Sequence, residues 1–322
     1  MRALITGISG MVGSHLADYL LENTDWEIYG MMRWRSPLDN IEHILDKIKF
    51  VYADLHDDGA IRKAVNDSKP DYVFHLAAQS YPGTSFDSPC DTLDTNIQGT
   101  VRLLEALKET HATIHVCASS EVYGRTKVMP ITELTPFHPA SPYAISKVGT
   151  DLAARYYAEA YGMNIMTTRL FTHTGPRRGD VFVESTFAKQ IAMIEAGQMR
   201  PILKVGNLNS MRTWMDVRDA VRAYYLLLTV NPRKGEVYNI GGNHSCTVGD
   251  MMTTLLSLSS TRITVEQDPA RMRPIDADNQ VPDCTKFMNH TGWKPQIPFQ
   301  QTMSDLLNYW RERVKTRSFL PR

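Results

Sequence analysis

The chain has 322 residues, 35 basic and 35 acidic, and a formal net charge of zero. That length allows one large α/β domain or two lobes, and the balanced charge argues against general nucleic-acid or membrane-surface binding, which draws on a basic excess. No apolar run approaches the ~20 residues of a membrane span. The N-terminus enters a strand without a signal-peptide h-region, and Cys90, Cys117, Cys246, Cys284 and the histidines show no disulfide or metal-ligand spacing, so a reduced cytoplasmic protein with no metal site is expected.

Ala3-Leu-Ile-Thr6 reads as a strand. Gly7-Ile-Ser-Gly10-Met11-Val12-Gly13 follows, then Ser14–Glu22 with helical spacing. Strand, glycine turn and helix in that order bring backbone N–H groups and a helix N-terminus towards a pyrophosphate, so Gly7, Gly10, Met11, Val12 and Gly13 are candidate cofactor residues. An ordinary βα turn is the alternative. Trp26–Met32 is the second strand, and it runs into Arg33-Trp-Arg35-Ser36. An NAD-selective site usually carries Asp or Glu near this point. Two guanidinium groups suit a ribose 2′-phosphate instead, so NADP is expected, with NAD possible; the alternative is a solvated pair of loop arginines. Ile48–Asp54 is the third strand. Asp54 is placed to meet an adenine amino group or to cap the next helix, with Leu55 beside it. Asp71–Gln79 is the fourth strand; Leu76, Ala77 and Ala78 at its end are further cofactor candidates, the two alanines being small enough for close approach.

A helical run, opened by Asn96–Thr100 and continuing over Val101–Lys108, precedes the short apolar strand Thr113–Ala118. Ser119 and Glu121 then lie two apart, projecting from one face if strand geometry persists. Tyr143 and Lys147 lie four apart near the start of a helix running to Tyr161, so they share a face. A hydroxyl, a carboxylate, a phenol and an ammonium thus converge, which is equipment for proton transfer beside a redox cofactor. Asn164–Phe171 is the next strand. Alternating strands and helices imply right-handed crossovers and a doubly wound parallel sheet with ligands beyond its carboxyl edge. The rhythm breaks at Thr172–Asp180, a Gly/Pro loop with two adjacent arginines. The expected division is a cofactor domain over 1–172 plus about 215–243, and a smaller C-terminal substrate lobe over 173–214 and 244–322.

The glycine turn, Ser119-Ser120-Glu121, Tyr143…Lys147 and the arginine-bearing second half together resemble the extended short-chain dehydrogenase/reductase superfamily, of the NAD-dependent epimerase/dehydratase kind, over essentially the whole chain. Within it, His75-Leu-Ala-Ala-Gln-Ser80, Thr135-Pro-Phe-His-Pro139, Ser141-Pro-Tyr143 and Pro176-Arg-Arg-Gly179 resemble the GDP-mannose 4,6-dehydratases. Asp268–Arg273 and Thr291-Gly-Trp-Lys-Pro295 are more similar to the sister GDP-4-keto-6-deoxymannose reductases. The dehydratase pattern carries Gln-Asp where Met11-Val12 stand, Thr where Ser119 stands, and Asn-His-Glu-Ser where Thr172-His-Thr-Gly175 stand.

The resemblance implies a Rossmann-type domain holding NADP and a lobe binding a nucleotide-diphosphate sugar, GDP-mannose or a derivative. It implies Ser119, Glu121, Tyr143 and Lys147 as catalytic residues, and Ser80, Ser120, Thr172, Arg178, Arg212 and Arg273 on the substrate side; by residue type Arg177 joins Arg178, Arg212 and Arg273 as a candidate for the diphosphate, with surface salt bridging the alternative for each. It further implies a homodimer built on helices 88–109 and 142–161, or a homotetramer in which Arg35 and Ser36 meet a neighbouring subunit. Glu121 favours 4,6-dehydration, because removing the C5 proton needs a base that plain C4 chemistry does not. A 4-reductase, a 4-epimerase and a non-catalytic NADP sensor are the alternatives.

Overall fold

The computed structural model describes residues 1–271 and 279–316. Its strands are β1 (Arg2–Thr6), β2 (Glu27–Met32), β3 (Lys49–Tyr52), β4 (Tyr72–His75), β5 (Thr113–Cys117), β6 (Asn164–Leu170), β7 (His173–Thr174), β8 (Ile202–Val205), β9 (Met211–Asp216), β10 (Val237–Ile240), β11 (His244–Thr247), β12 (Thr264–Gln267) and β13 (Asn279–Gln280). The helices are α1 (Met11–Asn23), α2 (Asp58–Ser68), α3 (Pro82–Asp87), α4 (Pro89–Leu93), α5 (Gly99–Leu107), α6 (Pro142–Ala160), α7 (Val183–Glu195), α8 (Val217–Thr229), α9 (Val248–Ser257), α10 (Thr285–Thr291) and α11 (Phe299–Thr316).

Seven strands pair in the order β10-β6-β5-β4-β1-β2-β3, all parallel. Both faces of this sheet are covered, which is why its strands read as continuous apolar runs. On one face Leu16 and Leu20 of α1 pack with Tyr224 and Leu227 of α8. On the other, Ile61 and Val65 of α2 pack with Leu103 and Leu107 of α5 and with Tyr157 of α6. The strand order reverses between β1 and β4, so the crevice for a ligand opens beyond their carboxyl ends.

The remaining chain builds a second core, with Phe187 and Ile191 of α7 against Leu255 of α9 and Met303, Leu307 and Trp310 of α11. There β9 pairs β11 antiparallel and β13 parallel, and β8 pairs β12. The chain rejoins the first core through α8 and β10, and then again at residues 285–293, inside the stretch that the sequence division gives to the second lobe. Phe287 and Trp293 are fully buried in the first core. One carboxylate fixes this second return: Asp219 accepts the Gln296 and Ile297 N–H groups at 2.8 and 2.9 Å, while its carbonyl accepts Trp293 Nε1 at 3.1 Å.

The helix expected over 88–109 is interrupted. One π-turn, Asp94–Gln98, separates α4 from α5. Among the described residues no helix is long and apolar enough to cross a membrane, and no group of His, Cys, Asp or Glu is arranged to hold a metal.

Candidate active site

The cofactor side is built from backbone. Gly10 caps α1 with no side-chain hydrogen bond, and the first turn carries no acidic residue, so its N–H groups are open to an anion. Gly7 has φ +72, and a Cβ on Gly13 would lie 2.4 Å from the Gly7 carbonyl oxygen. Only glycine lets the helix start fold this tightly onto the turn, and the resulting cradle fits a pyrophosphate. Met11 is buried in the core and Val12 packs against it, so in this turn the backbone faces the ligand side.

Thr6 ties the turn to the end of β4. Its hydroxyl accepts the N–H groups of Leu76 and Ala77, both at 3.0 Å, and meets His75 Nδ1 at 2.9 Å. That hydroxyl can donate only to His75, so His75 carries its proton on Nε2 and donates to Thr100 Oγ1 at 3.0 Å. Burial lowers the His75 pKa to about 3, so the ring is neutral. Ala78 is half-buried beside this strand end, whereas Ser80 is exposed.

Arg33 and Arg35 are exposed beyond β2, with the Arg35 guanidinium 4.4 Å from the centre of the Trp34 ring. Asp54 does not cap α2; Asp57 does, accepting Ala60 N–H at 2.9 Å. Asp54 accepts His56 N–H at 3.0 Å instead. Its pKa is held low: burial pushes it up, but the His56 backbone and ring and the Arg33 charge outweigh that. Leu55 is buried against Gly99 at the start of α5.

The strand geometry expected through Ser119 and Glu121 ends at Cys117. Residues 120–123 form a 3₁₀ turn, with Ser119 as its N-cap accepting Glu121 N–H at 3.2 Å. The two side chains are therefore related by a cap rather than by strand alternation. Ser119 still meets the phenol, and Glu121 lies within electrostatic reach of it. Burial raises the Tyr143 pKa, a hydrogen bond with Ser119 opposes that rise, the Glu121 carboxylate adds to it, and the Arg178 charge opposes it. Tyr143 and Lys147 are both buried on α6. Lys147 Nζ donates to the Cys117 carbonyl oxygen at 2.7 Å, and burial lowers its pKa.

Ser120 is buried and donates to Gln280 Oε1 at 2.6 Å. Thr172 is half-buried beyond β6, where its carbonyl accepts Met215 N–H at 3.0 Å. Arg178 reaches the site and pairs with Glu184 at 3.0 Å. Arg212 is half-buried on β9, opposite Cys246 and Gln280. Arg273 lies outside the described residues.

Two groups of site-positioning residues are not signalled by the motifs. Asn96, in the π-turn, accepts Gln79 N–H at 2.8 Å and donates to the Gln79 carbonyl and to Ser146 Oγ, both at 2.9 Å. It thereby braces α6, three residues from Tyr143, against the end of β4. The other is a buried bidentate pair: Arg169 on β6 donates to both Asp151 oxygens on α6 at 2.8 and 3.2 Å, and to Tyr123 Oη at 2.9 Å. The pair fixes α6 to the 3₁₀ turn that carries Glu121. Spacing cannot reveal either group, because each joins segments distant in sequence.

Comparison with known proteins gives the family. A GDP-mannose 4,6-dehydratase 2 of Arabidopsis thaliana is 34% identical, over 99% of this chain and 89% of its own. A GDP-6-deoxy-D-mannose reductase of Pseudomonas aeruginosa is 31% identical, over 98% of each chain. A solved structure described as RMD from Pseudomonas aeruginosa complexed with NADPH superposes with a TM-score of 0.84 at 29% identity, covering 97% of this chain and all of that one. The sequence pattern of the family described as GDP-mannose 4,6 dehydratase matches residues 4–306, and the chain belongs to that family.

Proposed function

We propose that the protein is an NADP-dependent GDP-mannose 4,6-dehydratase. The observation that carries this reading is a carboxylate, Glu121, within electrostatic reach of the buried Tyr143 and its Ser119 partner. When bound, the nicotinamide accepts a hydride from C4 of the sugar and returns it at C6, so no outside reductant is consumed. Arg33 and Arg35 are the groups for a 2′-phosphate, and a relative of this fold holds NADPH.

Ser119 and Tyr143 grip the sugar 4-oxygen, and Tyr143 takes its proton. Lys147 keeps a positive charge behind the phenol, which stabilises the phenolate when it forms. A ketone at C4 acidifies the C5 proton, which Glu121 removes and then delivers to the departing C6 hydroxyl as water leaves; C5 regains a proton as hydride returns to C6, balanced by the one Tyr143 took from the 4-hydroxyl. Arg178 and Arg212 bind the diphosphate, with Arg273 assigned there by resemblance alone; Ser80, Ser120 and Thr172 complete the substrate side. In solution the protein is a homodimer or homotetramer in the cytoplasm. Support for the α6 interface comes from the exposed Ile145, Leu152, Tyr156 and Tyr161 along or just beyond that helix.

Incubating purified protein with GDP-mannose and no added reductant tests the reading. A 4-keto-6-deoxy product lighter by one water is expected. Glu121→Gln should abolish water loss while C4 oxidation persists; equal loss of both steps would remove Glu121 from its role.

The second reading is the 4-reductase. It is favoured by the end-to-end match to the Pseudomonas aeruginosa reductase, 98% of each chain. Turnover only with NADPH and a 4-keto sugar would establish it.

A further inference from the structure

The adjacent arginines of the loop after β7 do different things. Arg178 lies within electrostatic reach of Tyr143 and His173, where its positive charge opposes the burial-driven rise of the phenol's pKa and adds to the burial-driven fall of the imidazole's. Arg177 is engaged elsewhere. Its Nη1 lies 2.7 Å from Asp18 Oδ2 on α1, the helix whose N-terminus forms the cofactor turn. Asp18 also receives His43 Nε2 at 2.7 Å. At that distance the ring nitrogen must carry a proton, so one carboxylate joins a hydrogen bond from His43 to an ion pair with Arg177. Beside it, His15 Nε2 lies 3.1 Å from the Pro176 carbonyl oxygen; a carbonyl only accepts, so His15 donates.

The backbone explains why such a clamp is present. Arg177 has φ +69, a conformation that strains a side-chain-bearing residue and persists only where surroundings enforce it. At this torsion Arg177 meets Asp18 of α1 while Arg178 meets Glu184 of α7. Arg178 is then fixed by Glu184 Oε1 at 3.0 Å, by the Phe182 ring at 3.3 Å from its guanidinium carbon, and by Ser185 Oγ donating to its carbonyl at 2.8 Å. The segment bearing His43 also touches the cofactor turn, since Asn40 Nδ2 donates to the Ser9 carbonyl at 2.9 Å.

We infer that Asp18 and Arg177 are positioning residues that pin the substrate-side loop to the cofactor-binding helix and thereby aim Arg178 at an anionic substrate. The inference rests on the nucleotide-sugar reading for the identity of that anion. Through the clamp, the cofactor turn, the segment after Arg33–Arg35 and the diphosphate arginine are one mechanical unit.

The test measures GDP binding by calorimetry, and GDP-mannose turnover, in cofactor-loaded wild type, Asp18→Ala, Arg177→Ala, Arg177→Gly and Arg178→Ala. Loss of either clamp partner should weaken GDP binding and raise KM about tenfold, with kcat changed less than about twofold. The same substitution in an Arg178→Ala background should add less than about twofold, because Arg177 acts only through Arg178. Arg177→Gly relieves the torsion but lacks the ion pair, so wild-type affinity in that variant would overturn the inference, as would full additivity with Arg178→Ala. A wild type that neither binds GDP nor turns over GDP-mannose refutes the nucleotide-sugar reading instead. The clamp is then judged by a thermal-unfolding cycle of Asp18→Ala and Arg177→Ala, where zero coupling refutes it.

Discussion

The turn Gly7–Gly13 and the loop Thr172–Asp180 both sit at strand ends facing the same crevice, yet they keep their shapes by different means. The turn takes its shape mainly from its own backbone: Gly10 N–H bonds the Gly7 carbonyl at 3.0 Å, Ser14 N–H bonds the Gly10 carbonyl at 3.0 Å, and glycines remove the atoms that would interfere, while outside contacts come from the Met31 carbonyl to Gly7 N–H and from Asn40 to the Ser9 carbonyl. The loop is held from outside, by His15 and Asp18 of α1 and by Glu184 and Ser185 of α7. A feature fixed by its own backbone can be read from spacing. One fixed by partners as far as 161 positions away cannot.

That contrast accounts for what was legible. The parallel sheet, the cofactor turn, and Tyr143 with Lys147 follow from period and order, because each depends on neighbours within a few residues. The Ser119–Glu121 geometry was not legible, since nothing in the alternation signals that a 3₁₀ turn begins at Ser120. The return of α10 and Trp293 to the first core was hidden because its anchor is Asp219, more than seventy positions upstream. Adjacent arginines look alike in a sequence; only their partners, Asp18 for Arg177 and Glu184 for Arg178, separate them.

Substitutions can press on the comparison from both sides. The largest effect should come from Tyr143→Phe, which removes the proton-transfer group while leaving the cofactor turn intact. Turnover should fall about 10²–10⁴-fold with cofactor affinity retained, and a fall below tenfold would mean the phenol is not the base. Next is the long-range pair. Asp151→Ala leaves Arg169 buried and unpaired and should cost about 3–5 kcal/mol in urea unfolding. If the loss is under ~1 kcal/mol, distant contacts matter less to this site than proposed.

For the glycine turn, Gly13→Ala places a methyl against the Gly7 carbonyl. A loss of about 1–3 kcal/mol is expected, together with weaker cofactor binding by fluorescence titration, while GDP binding is spared.

The smallest effect is in pH, and it samples both regions. Burial lowers the pKa of His75 beside the turn and of His173 in the loop to about 3 each, well under the ordinary 6.5. Both rings are neutral in the native protein, so the unfolded chain binds their protons first as pH falls. Their stabilisation is complete above about pH 6.5 and is lost progressively below it, at up to ~1.4 kcal/mol per pH unit for each ring. Replacing either histidine by Gln should flatten the acid limb of the stability curve by one proton. An unchanged slope in one variant would show that its region opens before the rest unfolds.

Trp34 is 72% exposed beside the arginine loop, whereas Trp214, Trp293 and Trp310 are buried and Trp26 is stacked on Tyr72 at 4.3 Å. Its indole is therefore the one whose emission an aqueous quencher reaches most readily. The chain thus carries an optical reporter next to its proposed 2′-phosphate contacts, and adding NADP or NAD to unlabelled protein should change quencher access at that ring to different extents.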